Sequence, residues 1–129
     1  MSNDIKEILI GLAEYNDKGY KFSAIIKLPH RWYWAVNQVI AKNDPTAHAE
    51  IEAIRYACMQ EGVERLENAV IYCSGEPCPM CLTAIMWAGI KEVYYVNTYD
   101  NADENNDYYD RPSEEVAANL GFDIKLRRL

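Results

Sequence analysis

Apolar residues at Ile5, Ile8, Leu9, Leu12, Ala13 and Tyr15 recur at the spacing of one helix face, which predicts a helix from Ser2 to about Lys18 with Gly19 placed to end it. The pattern then changes. Two runs rich in Ile, Phe, Trp, Tyr and Val, Lys21 to Leu28 and Arg31 to Val39, flank Pro29-His30 and predict two strands joined by a short turn. The polar stretch from Lys42 to Thr46 predicts a loop leading into a second helix, about Ala47 to Glu61, stopped by Gly62. Ala69 to Cys73 reads as a short strand, followed by a turn at Ser74-Gly75-Glu76-Pro77. Pro79 suits the first helical turn, where its missing N–H costs nothing, so a third helix is expected from there to about Ala88. Val93, Tyr94, Tyr95 and Val96 mark a buried strand from Glu92 to Asn97. A polar segment, Thr98 to Pro112, precedes a fourth helix near Ser113 to Asn119 and a last strand near Phe122 to Leu126. Strands alternating with helices predict an α/β domain, one sheet covered by helices, with neither internal repeat nor linker.

Length makes this a single domain, residues 1–129. A chain of this size buries roughly two thirds of its unfolded surface and needs no staples. The acidic opening Met1-Ser2-Asn3-Asp4 lacks a signal-peptide pattern, and no apolar run approaches the roughly 20 residues that span a bilayer, so a soluble, cytoplasmic protein is expected. Thirteen Lys and Arg face 20 Asp and Glu, a formal net charge of -7. Phosphate backbones are gripped by Lys and Arg that release counterions, so nucleic acid is disfavoured as a partner and small uncharged molecules are favoured. The basic cluster is Lys125-Leu126-Arg127-Arg128.

The chemistry lies in His48-Ala49-Glu50 and in Pro77-Cys78-Pro79-Met80-Cys81. In a reducing compartment a Cys-x-x-Cys pair reads as a metal or redox site before it reads as a disulfide. Cys78 and Cys81, at i and i+3, share a helix face in the first turn of the third helix, where free N–H groups and the helix dipole favour the thiolate. His48 is expected in the first turn of the second helix, so two helix ends can converge on one metal. Glu50, two residues on, points about 200° away around that helix. It is poorly placed as a ligand on His48's side, yet it can reach a water on a metal lying off the helix end. Three ligands, one non-ligand carboxylate and an open position make a catalytic zinc inventory. Two alternatives stand beside it: a closed Cys3His site with Cys73 as fourth ligand, and a redox pair at Cys78 and Cys81. Cys58 reads as a small buried hydrophobe.

His-x-Glu followed by Pro-Cys-x-x-Cys is the signature of zinc-dependent nucleobase deaminases. From about Asn37 to Val96 the chain resembles the cytidine deaminase superfamily, in the branch of guanine, cytosine and tRNA adenosine deaminases. The resemblance implies a three-layer α/β/α fold with a five-stranded mixed sheet, assembled as a homodimer or larger. It implies one zinc per chain on His48, Cys78 and Cys81, with Glu50 as general acid and base. Water would displace the amine of a heterocyclic base, releasing ammonia. Asn37 would hydrogen-bond the base, with the Ala49 and Cys78 backbone N–H groups and the Pro77 carbonyl lining the pocket. The Cys78–Ala88 stretch and the Asp-rich segment after Thr98 look closest to bacterial guanine deaminases. In those enzymes a carboxylate there recognises the purine, and Asp107 is the best match, with Asp110 and Asp103 as rivals. Cytosine, another aminopurine or an aminotriazine is the alternative substrate, and a tRNA adenosine deaminase the rival within the superfamily. A non-catalytic zinc-stabilised interaction domain is the rival from another class. Where relatives carry a Gly-Pro-Phe-Gly-Ala-like run on the first strand, this chain reads Tyr20-Lys21-Phe22-Ser23-Ala24.

Overall fold

The computed structural model describes residues 2–98 and 112–129. Its elements are α1 (Ser2–Tyr15), β1 (Ser23–Lys27), β2 (Trp32–Val36), α2 (Val39–Lys42), α3 (Ala49–Glu61), β3 (Val70–Gly75), α4 (Pro79–Trp87), β4 (Glu92–Asn97), α5 (Ser113–Asn119) and β5 (Lys125–Arg128). The five strands form one mixed sheet in the order β2-β1-β3-β4-β5. β1 runs antiparallel to β2 and β3, whereas β3, β4 and β5 run parallel. The parallel pairs follow from the helices between them, since a parallel return needs a crossover.

Alternation along the strands divides the interior in two. Ala24, Ile26, Ile71, Cys73, Val93, Tyr95 and Leu126 face one side with Ala49, Ala53, Leu82, Ile85 and Ala117 of α3, α4 and α5. Ile25, Tyr72 and Val96 face the other, against Ile5, Leu9 and Leu12 of α1. The small Ala49, Ala53 and Ala57 stripe of α3, all fully buried, lets that helix lie close on β1 and β2. Gly62 ends α3 at φ 69°, a left-handed conformation that only glycine adopts without steric cost. Helices on both faces give three layers. Among the described residues no helix is long and apolar enough to cross a membrane.

Several boundaries differ from expectation. α1 stops at Tyr15, where Asn16 donates its side-chain amide to the carbonyls of Tyr20 and Asn37 and turns the chain. The second strand ends at Val36 because Asn37 Oδ1 accepts from the Val39 N–H at 3.0 Å, an Asx turn that opens the unexpected short helix α2. β3 continues to Gly75, paired with Asn97. The last strand begins at Lys125, three residues late, since Lys125 pairs with Glu92 at the start of β4; Phe122 and Ile124 pack against the core ahead of it. Cys58 is half-buried rather than fully buried.

Tyr95 couples this interior to pH. Burial and the nearby Glu76 and Glu114 carboxylates push its phenol up to about 12. The folded chain thus holds that proton more tightly than an unfolded chain, whose tyrosine titrates near ~10. The resulting stabilisation is complete below pH ~10 and is lost as pH rises towards ~12. Urea midpoints measured from pH ~8 to ~11.5 are expected to fall in that alkaline window, and to fall less in Tyr95→Phe. Equal alkaline slopes in the two proteins would show that the loss arises elsewhere.

Candidate metal centre and pocket

Both signature segments meet at helix ends, one residue away from the expected positions. His48 is the N-cap of α3, extended at φ -65° and ψ 158°, and Cys78 is the N-cap of α4 at φ -74° and ψ 169°. Pro79 after Cys78 enforces that extended backbone, because its ring crowds the preceding residue out of the helical region. Cys81 lies within the first turn, and its N–H donates to Cys78 Sγ at 3.5 Å.

The donor atoms of His48, Cys78 and Cys81 all lie within 4.8 Å of one another, and no other such group of three occurs among the described residues. A tetrahedral zinc with Zn–N near ~2.05 Å and Zn–S near ~2.3 Å sets nitrogen and sulfur about 3.6 Å apart. His48 Nδ1 stands 3.7 Å from Cys78 Sγ and 3.5 Å from Cys81 Sγ. One nitrogen and two sulfurs at these spacings suit zinc, and these three residues could hold it. Cys73 is not in the group. It sits on β3, fully buried, and burial together with the Glu50 and Cys78 charges pushes its thiol well above the ordinary range. Among the described residues Cys73 thus lies outside the group that could hold a metal.

Glu50, 8% exposed, lies in the first turn of α3 and lines a small pocket with Phe22, Asn37, His48, Ala49, Gly75 and Glu76. Asn37 is held by its backbone N–H on the Phe22 carbonyl, 3.0 Å, and by its carbonyl accepting from Asn16. Pro77 is buried next to this wall, with its carbonyl accepting from Ser113 Oγ at 2.7 Å. Asp103, Asp107 and Asp110 lie outside the described residues. Sequence reasoning passed over Gly75 and Glu76 as part of the wall. A Cβ on Gly75 would stand 3.0 and 3.2 Å from the Phe22 ring, so glycine is what lets the ring close that side. The signal for Glu76 was its place directly ahead of Pro77-Cys78. Phe22 belongs to the run that departs from the resembled pattern; the adjacent Ser23 is anchored by its hydroxyl to the Leu9 carbonyl at 2.6 Å.

Fold and site together define a zinc-type centre set between two helix ends on an α/β/α sandwich. The cytidine and deoxycytidylate deaminase zinc-binding region matches residues 6–97, and the chain belongs to this family. A guanine deaminase of Bacillus subtilis is 46% identical over a stretch covering 61% of this chain and 55% of that protein, so the match spans about half of the relative's length. The crystal structure of Bacillus subtilis guanine deaminase superposes at a TM-score of 0.73, with 29% identity, 92% of this chain and 91% of that one. A chain from structural studies of A-to-I editing by tRNA:A34 deaminases superposes at 0.78, with 27% identity, covering 99% and 98%.

Proposed function

We propose that the protein is a zinc-dependent hydrolytic deaminase of a small free heterocyclic base, with guanine the first candidate. Cytosine, another aminopurine or an aminotriazine is the alternative within the same chemistry. The observation that carries the reading is the meeting of one imidazole and two thiols at one point, His48, Cys78 and Cys81, with a separate carboxylate, Glu50, beside that imidazole in the adjoining pocket. The reading takes His48, Cys78 and Cys81 as the ligands. When bound, zinc supplies the Lewis acidity that brings the pKa of a water down to about 7. Glu50 takes the first proton that water gives up and passes it to the ring nitrogen, then takes the second proton of the same oxygen and delivers it to the departing amine. The water oxygen becomes the product carbonyl and the nitrogen leaves as ammonia. Asn37 holds the base: its Oδ1 is engaged by Val39, so its amide N–H is the end that donates to an acceptor on the ring. Asp107 is proposed as the carboxylate that reads the far edge of the purine.

A free base is favoured over tRNA by charge. The described wall of the pocket carries the carboxylates of Glu50 and Glu76 and neither Lys nor Arg. On the neighbouring surface, Lys42 and Arg55 are both engaged by the buried Glu52. A phosphate backbone needs cations free to release counterions. The rival remains specific, because a tRNA:A34 deaminase chain superposes over nearly the whole length. Ammonia release is to be screened across guanine, cytosine, adenine, isoguanine, their nucleosides, triazine analogues and a tRNA anticodon stem-loop. Turnover of a free base with little salt dependence is expected; turnover of the stem-loop alone, falling steeply with salt, would exclude the free-base reading. In the same assay Asn37→Ala is expected to lower kcat/KM by about tenfold, the value of one hydrogen bond. Assembly as a homodimer is proposed with it, and sedimentation at micromolar concentration tests it.

A further inference from the structure

A buried polar cluster ties α5 to the loop that carries the first cysteine. Ser113, 1% exposed, donates its backbone N–H to Glu76 Oε2 at 2.5 Å. Its hydroxyl lies 2.8 Å from the same oxygen and 2.7 Å from the Pro77 carbonyl, so one proton is shared between two acceptors. Glu76 in turn donates its N–H to the Asn97 carbonyl at the end of β4, 2.7 Å away. Ser113 and Pro77 are 36 residues apart in the chain, so this contact exists only in the assembled fold.

Its position matters because of the two prolines around Cys78. The Pro77 ring fixes φ of residue 77, and Pro79 restricts ψ of Cys78. The loose torsions left are ψ of Pro77 and φ of Cys78, and together they rotate the Pro77–Cys78 peptide. The oxygen of that peptide is the one Ser113 holds. We propose that Ser113, braced by Glu76, is a positioning residue of the metal centre: it sets the Pro77–Cys78 peptide plane and so aims Cys78 Sγ at the point shared with His48 and Cys81. The inference rests on the ligand assignment above and is independent of the substrate.

Zinc release from the folded, zinc-loaded protein, timed with a chromogenic chelator and no substrate present, tests it. Ser113→Ala keeps the backbone bond to Glu76 and loses the hydroxyl, and it is expected to release zinc about tenfold faster, the range seen when partners of metal ligands are removed. Ser113→Thr, which keeps the hydroxyl, is expected to restore the parent rate. Cobalt-loaded protein gives a second readout: its ligand-field bands should shift in Ser113→Ala and return in Ser113→Thr. Should Ser113→Ala fold poorly, Glu76→Gln, which keeps the size and weakens the brace, is expected to show an intermediate rate. Release from a folded Ser113→Ala within about twofold of the parent, or Ser113→Thr as fast as Ser113→Ala, would overturn the inference. A parent protein that binds no zinc would instead fail the ligand assignment itself.

Discussion

Glu50→Ala is expected to lower the deamination rate by about 10²- to 10⁴-fold, the usual contribution of a positioned proton-transfer group, while zinc stays at one per chain. The expectation combines two placements. Glu50 lines the pocket in the first turn of α3, and its carboxylate lies outside the donor group formed by His48, Cys78 and Cys81. A residue that moves protons can be removed without emptying the centre, whereas a ligand cannot. Metal analysis of the purified variant beside its turnover number separates the roles. Loss of zinc with the rate retained would mean that Glu50 is a ligand and that another group shuttles the proton.

The second large effect belongs to the metal. Cys81 is fully buried at the start of α4, and Cys81→Ser is expected to cut zinc content to a small fraction and turnover to background. Stability should fall as well, since a ligand bound only by the folded state adds RT ln(1 + [L]/Kd), about 4 kcal/mol at a thousandfold excess over Kd. Chelating the parent protein should therefore lower its urea midpoint to near that of the variant, and the variant should respond little to the chelator. Cys73→Ser provides the contrast: a thiol outside the donor group is expected to leave zinc content unchanged. Zinc lost from Cys73→Ser and kept in Cys81→Ser would reverse the assignment and restore a different ligand set.

Much of the site was legible in the chain because its chemistry is local. His48 and Glu50 are two residues apart, Cys78 and Cys81 three, and Pro79 marks the helix start between them. Strand β4 was readable from its Val93–Val96 apolar run, and α5 falls where a helix near Ser113 to Asn119 was expected. Where reading failed, something other than apolar spacing set the boundary. Asn37 ended β2 through its bond to the Val39 N–H and Asn16 ended α1 by reaching Tyr20 and Asn37, while the pairing of Lys125 with Glu92 set the start of β5. Each is a polar bond or a strand register, and hydrophobic spacing carries no record of either.

The sequence by itself marked His48, Cys78 and Cys81 as candidate donors near two helix starts, Glu50 as a separate carboxylate, and the alternation of strands and helices, because these follow from residue type and short spacing. Tertiary structure alone decided the strand order β2-β1-β3-β4-β5, the approach of His48 to Cys78 and Cys81, the closing of the wall by Phe22 against Gly75, and the grip of Ser113 on Pro77. Those features join residues tens of positions apart. Their partners are chosen by which faces of the sheet and helices pack together, and that choice is made by burial over the whole chain.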